Sequence, residues 1–535
     1  MTGTADKISF RLGAPAWKPY AESTLGVVAL LVLWQLFVHF VFSANGTIPS
    51  PFEILRQFFT VDGPGFYFES ASHTLHAAVQ GWCWGVLLAI GVAMLIVVIP
   101  VTETPMMLLG AVSYCLPIVA IGPILVITTS GETPRVILSA MAVFFSMLVG
   151  TLLGLRSPGT AMLDVIHAFG GGGLNLMAKV RWRAALPQFF ASLRVSAPSA
   201  ILGSIVGEFL GAENGLGVLL INAQQALNYQ RTWTIAFFCT MIAGAAYGLI
   251  RLVGAWLTPW ARETHSNLAV GTSERGAKRG GAAAIVLRTL VYAALSILLV
   301  LAVWWLLLKA LNVSTFIGKG PADVWGYVFD PDAGADNRSA LLDESGVTLR
   351  DAGLGLISGT CAALLVAMLF QTVPAARRIF MGPALALQSV PLVAMTPLIV
   401  LMFGRNLGAI AIIGGIITFF PTLVNVTLAL GRTPKDAMDL MRVFGASQLN
   451  TLRIVQVPYA LPALFASLRV AAPLSITGAL LAEWLATGNG LGYALMSDVS
   501  TADYSALWAR VALATFYSLV LYNAIGMVER FAQKR

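Results

Sequence analysis

The chain has 535 residues, of which 57% are hydrophobic and only 11% charged, with a mean hydropathy of +0.80. A soluble domain carries roughly a quarter charged residues, so this composition excludes a water-soluble protein and calls for one that crosses a bilayer repeatedly. The net charge of +8 is not a nucleic-acid signal, because the Lys and Arg residues sit in short loops between apolar runs, where they report topology.

Six spans fit each half of the chain. They lie near 24–43, 73–99, 105–129, 133–156, 189–211 and 232–258, then near 285–311, 347–371, 380–403, 406–431, 464–487 and 505–528. The expected fold is an all-α polytopic membrane protein with two domains, 1–260 and 285–535, joined by a polar cytoplasmic linker at 261–284. The run from Thr24 to Phe42 is too long for the apolar region of a signal peptide. It has a counterpart at Ile285–Leu311 and is expected to be a retained helix.

With Lys7, Arg11 and Lys18 inside, the basic residues Arg156, Lys179, Arg181 and Arg183 fall on the same side, as do Arg377, Arg378, Arg432, Lys435, Arg442 and Arg453. The other side receives the acidic stretch from Asp323 to Glu344, expected as a loop. Both termini are therefore expected in the cytoplasm. An even number of spans per half inserts the halves in the same orientation, as parallel repeats.

The repetition is explicit in the residues. Residues 169–220 recur at 444–495 without a gap, at an offset of 275, and Leu75 onward matches Leu349 onward. A period of that length means a duplicated domain. Each copy holds a long polar loop on the basic side. In the second copy Pro434 opens a helical pattern with Met438, Met441, Val443 and Phe444 on one side and Gly445 as a break; the first copy has Gly170 there. A helix, a glycine turn and a second short helix would project as a knob suited to a groove in a partner protein.

This pattern resembles the EAA loop of bacterial ABC-importer permeases. Asp164 and Asp439 stand at the Glu position, Gly170 and Gly445 at the glycine, and Pro187 and Pro462 at the proline seventeen residues on. Downstream, Ser192-Leu193-Arg194 and Ser467-Leu468-Arg469, then Glu208 with Gly215-Leu216-Gly217 and Glu483 with Gly490-Leu491-Gly492, resemble the nitrate/sulfonate/taurine branch. The copies depart from the family at Val165-Ile166 and Leu440-Met441 in place of alanines, and at the glycine run Gly170 to Gly173.

The resemblance implies about 12 transmembrane helices in two parallel six-helix repeats with cytoplasmic coupling helices, in a bacterial inner membrane. It implies contact with two cytoplasmic ATP-binding subunits through Asp164, Phe169, Gly170, Gly171, Pro187, Asp439, Phe444, Gly445, Ala446, Ser447 and Pro462. ATP and Mg would lie on those subunits: this chain has no Walker A string, and no cofactor, metal or enzymatic role is expected of it. An extracytoplasmic solute-binding protein would deliver a small anion resembling nitrate, a sulfonate or taurine. A pyrimidine vitamin precursor or an aromatic acid is the alternative cargo, and an ion-coupled secondary transporter the alternative class.

Charges inside spans are costly, roughly 2.5–3.5 kcal/mol at mid-helix. Arg194 and Glu208 share a helix about 21 Å apart and cannot pair. They and their counterparts Arg469 and Glu483 are expected to gate or to stabilise. In the third span of each half, Pro117 and Pro123, and Pro391 and Pro397, break helix hydrogen bonds, and such backbone is tolerated where it lines protein or a cavity. Tyr114, Gln388 and Thr396 beside them complete the expected pathway lining. His73 and His76 share a helical face without a third metal ligand. Cys83, Cys115, Cys239 and Cys361 all fall in apolar runs and are expected to pack in the core.

Overall fold

The computed structural model describes residues 18–42, 48–170, 172–262, 282–387 and 392–533; they form helices and connections, with no strand among them. The first half contributes α1 Lys18–Phe37, α2 Pro51–Arg56, α3 Pro64–Val98, α4 Glu103–Cys115, α5 Ile118–Thr128, α6 Thr133–Leu155, α7 Thr160–Ala168, α8 Gly173–Leu176, α9 Trp182–Gly211, α10 Leu216–Gln225 and α11 Tyr229–Leu257. The second half repeats the order with α12 Ala282–Ala310, α13 Pro321–Val328, α14 Gly334–Thr372, α15 Pro374–Leu387, α16 Leu392–Phe403, α17 Leu407–Leu430, α18 Lys435–Val443, α19 Gln448–Thr451, α20 Val457–Ala482, α21 Leu491–Thr501 and α22 Tyr504–Gln533.

Among the described residues eight helices are long and apolar enough to cross a membrane, and the pair α4 and α5 with its lead-in makes a ninth. That pair is the span expected at 105–129, broken at Pro117 as its prolines imply. The helix stops there because Pro117 cannot donate to the helix ladder and takes an extended conformation; the two arms meet at 89°. The acidic stretch from Asp323 to Glu344 is corrected: most of it is helical, forming α13 and the first turns of α14. Most of the linker expected at 261–284 lies outside the described residues.

Each half is built on a tight three-helix core, α3–α6–α9 and α14–α17–α20. Small residues let these backbones touch, the usual solution where lipid supplies no hydrophobic drive. A Cβ on Gly355 would come within 2.8 Å of the Gly414 backbone, and one on Gly81 within 2.5 Å of the Val136 carbonyl.

The halves exchange elements. Helix α1 packs on α15 and α12 packs on α4, with Gly26 pressed against the carbonyl of Ile379. Ala120 and Ile124 of α5 join a core with Ile476, Ala479 and Leu480 of α20 and Trp508 of α22. Reciprocally, Met395, Leu398 and Ile399 of α16 pack with Ile201 and Ile205 of α9 and Phe238 of α11. The broken third span of each half is thus seated in the other. Cys115 and Cys239 are buried, but Cys83 and Cys361 are exposed on outward helix faces, against the expectation for all four.

Candidate functional site: two projecting loops and the seam between halves

The loops after α6 and α17 fold alike. Helix α18 ends at Phe444, where the N–H of Gly445 reaches the carbonyl of Arg442 (3.0 Å) and the N–H of Ala446 that of Met441 (2.9 Å). This paired closure needs a left-handed residue, which glycine adopts without a Cβ penalty; φ is +63° at Gly445 and +74° at Gly170. Ser447 then caps α19 by accepting from the Asn450 N–H at 3.3 Å. Gly-Ala-Ser is therefore a stop, a spacer and a start. The first copy closes its stop by Gly170 N–H to the His167 carbonyl, 3.0 Å, while Gly171 lies outside the described residues.

The apolar residues of these loops point into solvent. Phe169 is 87% exposed, Val443 83% and Phe444 76%. Asp164 is exposed on α7, and Asp439 is exposed and paired with Arg442 at 2.9 Å. Pro187 and Pro462 lie inside α9 and α20 and not in the loops. Each follows a wide π-turn, Met177–Arg181 or Leu452–Gln456, that joins the short helix to the span.

At the far end of the same spans, Glu208 and Glu483 are each about fully buried (1% and 0% exposed). The Thr74 hydroxyl donates to Glu208 at 3.0 Å and accepts from the Leu216 N–H at 2.9 Å, while the Gly217 N–H donates to Glu208 at 2.8 Å. The second half repeats this: Thr348 to Glu483 at 3.0 Å, Leu491 N–H to Thr348 at 3.0 Å, Gly492 N–H to Glu483 at 2.7 Å. The Gly-Leu-Gly motifs are thereby explained. A Cβ on Gly215 or Gly490 would fall 2.3 or 2.4 Å from the glutamate carboxyl carbon. The threonines were missed by sequence reasoning, although each immediately precedes the aligned runs that begin at Leu75 and Leu349.

The two clamps differ in charge. Arg135 of α6 lies 3.6 Å from Glu208, whereas the matching position in α17 is Ile410. Glu483 keeps one carboxylate oxygen without a hydrogen-bond partner, as does buried Asp351 one turn along from Thr348.

Between the halves, Phe209 and Trp484, equivalent residues next to the glutamates, meet edge to face with centroids 5.7 Å apart. Val119, Val206, Ile417, Leu481 and Leu485 surround them. Toward the loop end, the Tyr114 hydroxyl donates to the carbonyl of Val470 in the opposite half at 2.9 Å. Arg469 lies with its guanidinium 4.3 Å from the Tyr522 ring centre, while Arg194 donates to the Phe190 carbonyl of its own helix at 3.3 Å. Pro117, Pro123 and Thr396 are buried and Pro397 lies in α16; Gln388 and Pro391 fall outside the described residues. Sequence reasoning did not single out Phe209, Trp484 or Tyr522. His76 pairs with Glu132 at 2.8 Å, and among the described residues no group of three or more metal-binding side chains occurs.

The chain matches the family described as "Binding-protein-dependent transport system inner membrane component" twice, over residues 81–263 and 359–535. It is 34% identical over 151 residues to the riboflavin transport system permease protein of Chloroflexus aurantiacus, a match spanning 28% of this chain and 56% of that relative. It is 28% identical over 244 residues to the formylaminopyrimidine transport permease protein of Halalkalibacterium halodurans, covering 45% of this chain and 96% of the relative. The nitrate import permease protein of Leptolyngbya laminosa is 22% identical over 241 residues, 44% of this chain and 85% of the relative. A nearly whole relative thus corresponds to one half of the present chain. The chain belongs to the family of inner-membrane components of binding-protein-dependent transport systems, the ABC permeases, and carries its domain twice.

Proposed function

We propose that this chain supplies both membrane halves of an ATP-driven importer and works by alternating access, with both termini and the two projecting loops in the cytoplasm. The observation that carries this reading is the pair of knobs at Phe169 and Phe444. Large apolar side chains held out by a rigid glycine stop are costly to hydrate and fit a partner's groove. Two ATP-binding subunits holding ATP and Mg would seat there, one per loop, and closure of the pair would drive the loops together. Each loop runs through its π-turn into α9 or α20, so the push reaches the seam at Phe209 and Trp484 as motion of the same helices. An extracytoplasmic solute-binding protein would load the opposite face with a small organic or inorganic anion.

An ion-coupled carrier is the competing reading, and the half-satisfied buried acids Asp351 and Glu483 are the observation on its side. Two experiments separate them. Phe169→Glu and Phe444→Glu should each weaken copurification with the ATP-binding subunit and together abolish ATP-dependent uptake, leaving the chain folded. Uptake by the chain alone, driven by a proton gradient with no ATPase present, would overturn the assignment.

A further inference from the structure

The seam between the halves holds one cluster drawn from both of them. Tyr114 stacks on Phe145, centroids 5.0 Å apart at 29°, and Phe145 meets Tyr522 edge-on at 6.5 Å. Tyr114 and Phe145 belong to the first half, Tyr522 and Arg469 to the second. Arg469 lies over the Tyr522 face, and its buried Nε has no hydrogen-bond partner. No ion pair of Arg469 occurs among the described residues. A cation at membrane depth without a carboxylate is expensive to keep and is by default a functional group. Its equivalent Arg194 instead hydrogen-bonds its own helix, and the position matching Tyr114 carries Gln388.

We propose that Arg469, Tyr522, Tyr114 and Phe145 form a recognition site for a planar aromatic anion, whose acidic edge meets the guanidinium and whose faces stack on the rings. The proposal rests on the seam being the solute path and names the substrate class of that path. Arginine is the residue for it: its planar fork matches a carboxylate bidentately and stacks on rings, as a lysine would not. In the present conformation the Tyr522 ring covers the guanidinium as a ligand ring would. Because the members come from both halves, relative movement of the halves opens and closes the site. A small non-aromatic anion such as nitrate or taurine could meet the charge but has no ring to stack on these aromatic side chains.

The test uses the full chain in lipid nanodiscs without nucleotide, with radiolabelled benzoate as the probe in equilibrium dialysis. Saturable binding is expected, weakened roughly 10- to 100-fold by Arg469→Gln, the worth of one charge-assisted contact. Tyr522→Leu should weaken it and Tyr522→Phe should not, which decides the matter if Arg469→Gln does not fold. Arg194→Gln should leave binding unchanged, and benzamide, nitrate and taurine should displace benzoate poorly. Absence of saturable binding, displacement by nitrate or taurine as readily as by benzoate, or equal loss in Arg194→Gln would each overturn the proposal. The readout needs no ATPase subunit, so failure of the transport reading shows separately, in copurification and uptake.

Discussion

Glu208 and Glu483 show how a residue that looks prohibitive in sequence becomes affordable in place. A mid-span charge costs roughly 2.5–3.5 kcal/mol, and each hydrogen bond to a charged group returns roughly 1.5–3 kcal/mol. The Thr hydroxyl and the glycine N–H each offset part of that cost, and at Glu483 one carboxylate oxygen stays without a partner. The same geometry fixes what the glycines tolerate. Gly490→Ala meets both a carboxyl 2.4 Å from its new Cβ and a φ of +90°, where the backbone alone costs about 1–3 kcal/mol. Gly170→Ala meets open space and a φ of +74°. In detergent, thermal unfolding should therefore fall much further for Gly490→Ala than for Gly170→Ala; equal losses would refute the clash. Asp62 sets a pH dependence. Burial alone would raise its carboxyl, but hydrogen bonds from Arg231, Tyr67 and Gln57 hold it below the usual carboxylate range. A depressed acid stabilises the fold above its unfolded pKa and loses that contribution as pH falls through the folded value. Asp62→Asn should thus lower stability at pH 7 and flatten the acid-side decline, read from melting curves across that range.

At the scale of elements, the fifth spans are the continuous members that run from each projecting loop to the seam. Helices α9 and α20 follow the π-turns, and Phe209 near the end of α9 meets Trp484 in the turn just after α20, so fixing the pair should fix the spans. With Cys83, Cys115, Cys239 and Cys361 replaced by alanine, Phe209→Cys and Trp484→Cys should be bridged by a short bis-methanethiosulfonate linker, which joins each thiol through a reducible disulfide. A linker suits the site better than a direct disulfide, because it is ring edges and not backbones that meet. ATP-driven uptake should stop on bridging and return on reduction. Uptake at the parent rate in the bridged protein would show that the pair does not part during transport. Much of this was legible in the chain. The knobs could be read from Phe444, Gly445 and Ser447, because stop and cap chemistry is local. The right angle at the break was not, since Pro117 only removes a donor and the angle follows from how α4 and α5 pack against α12, α20, α21 and α22. Tyr522 and Trp484 were illegible for a related reason: their meaning comes from residues hundreds of positions away.

At the scale of the whole molecule, the two domains are joined less by their covalent connection than by exchange. Helix α1 keeps Trp34 against Trp233 of its own half but packs on α15 of the other. Helix α12 keeps Trp304 stacked on Trp508 of its own half but packs on α4 of the other, and α5 and α16 are each seated in the opposite core. Packing of this kind, with backbones as close as Gly26 to Ile379, holds in lipid through van der Waals contact and shape. The connection between Arg262 and Ala282 then serves mainly to raise the effective concentration of one half for the other during assembly, and it fixes which two halves meet. A protease site introduced between those residues in the full chain should therefore be cut without consequence once folding is complete. The two fragments should co-elute on size exclusion in mild detergent and, reconstituted with the ATP-binding subunits and solute-binding protein proposed above, should support uptake like the uncut chain. The same halves expressed as separate chains should assemble in lower yield, because the first span of each must find its partner by diffusion. Fragments that separate on cutting would mean that the exchanged helices do not hold the pair, and the picture of two interlocked domains rocking on a shared seam would fail with them.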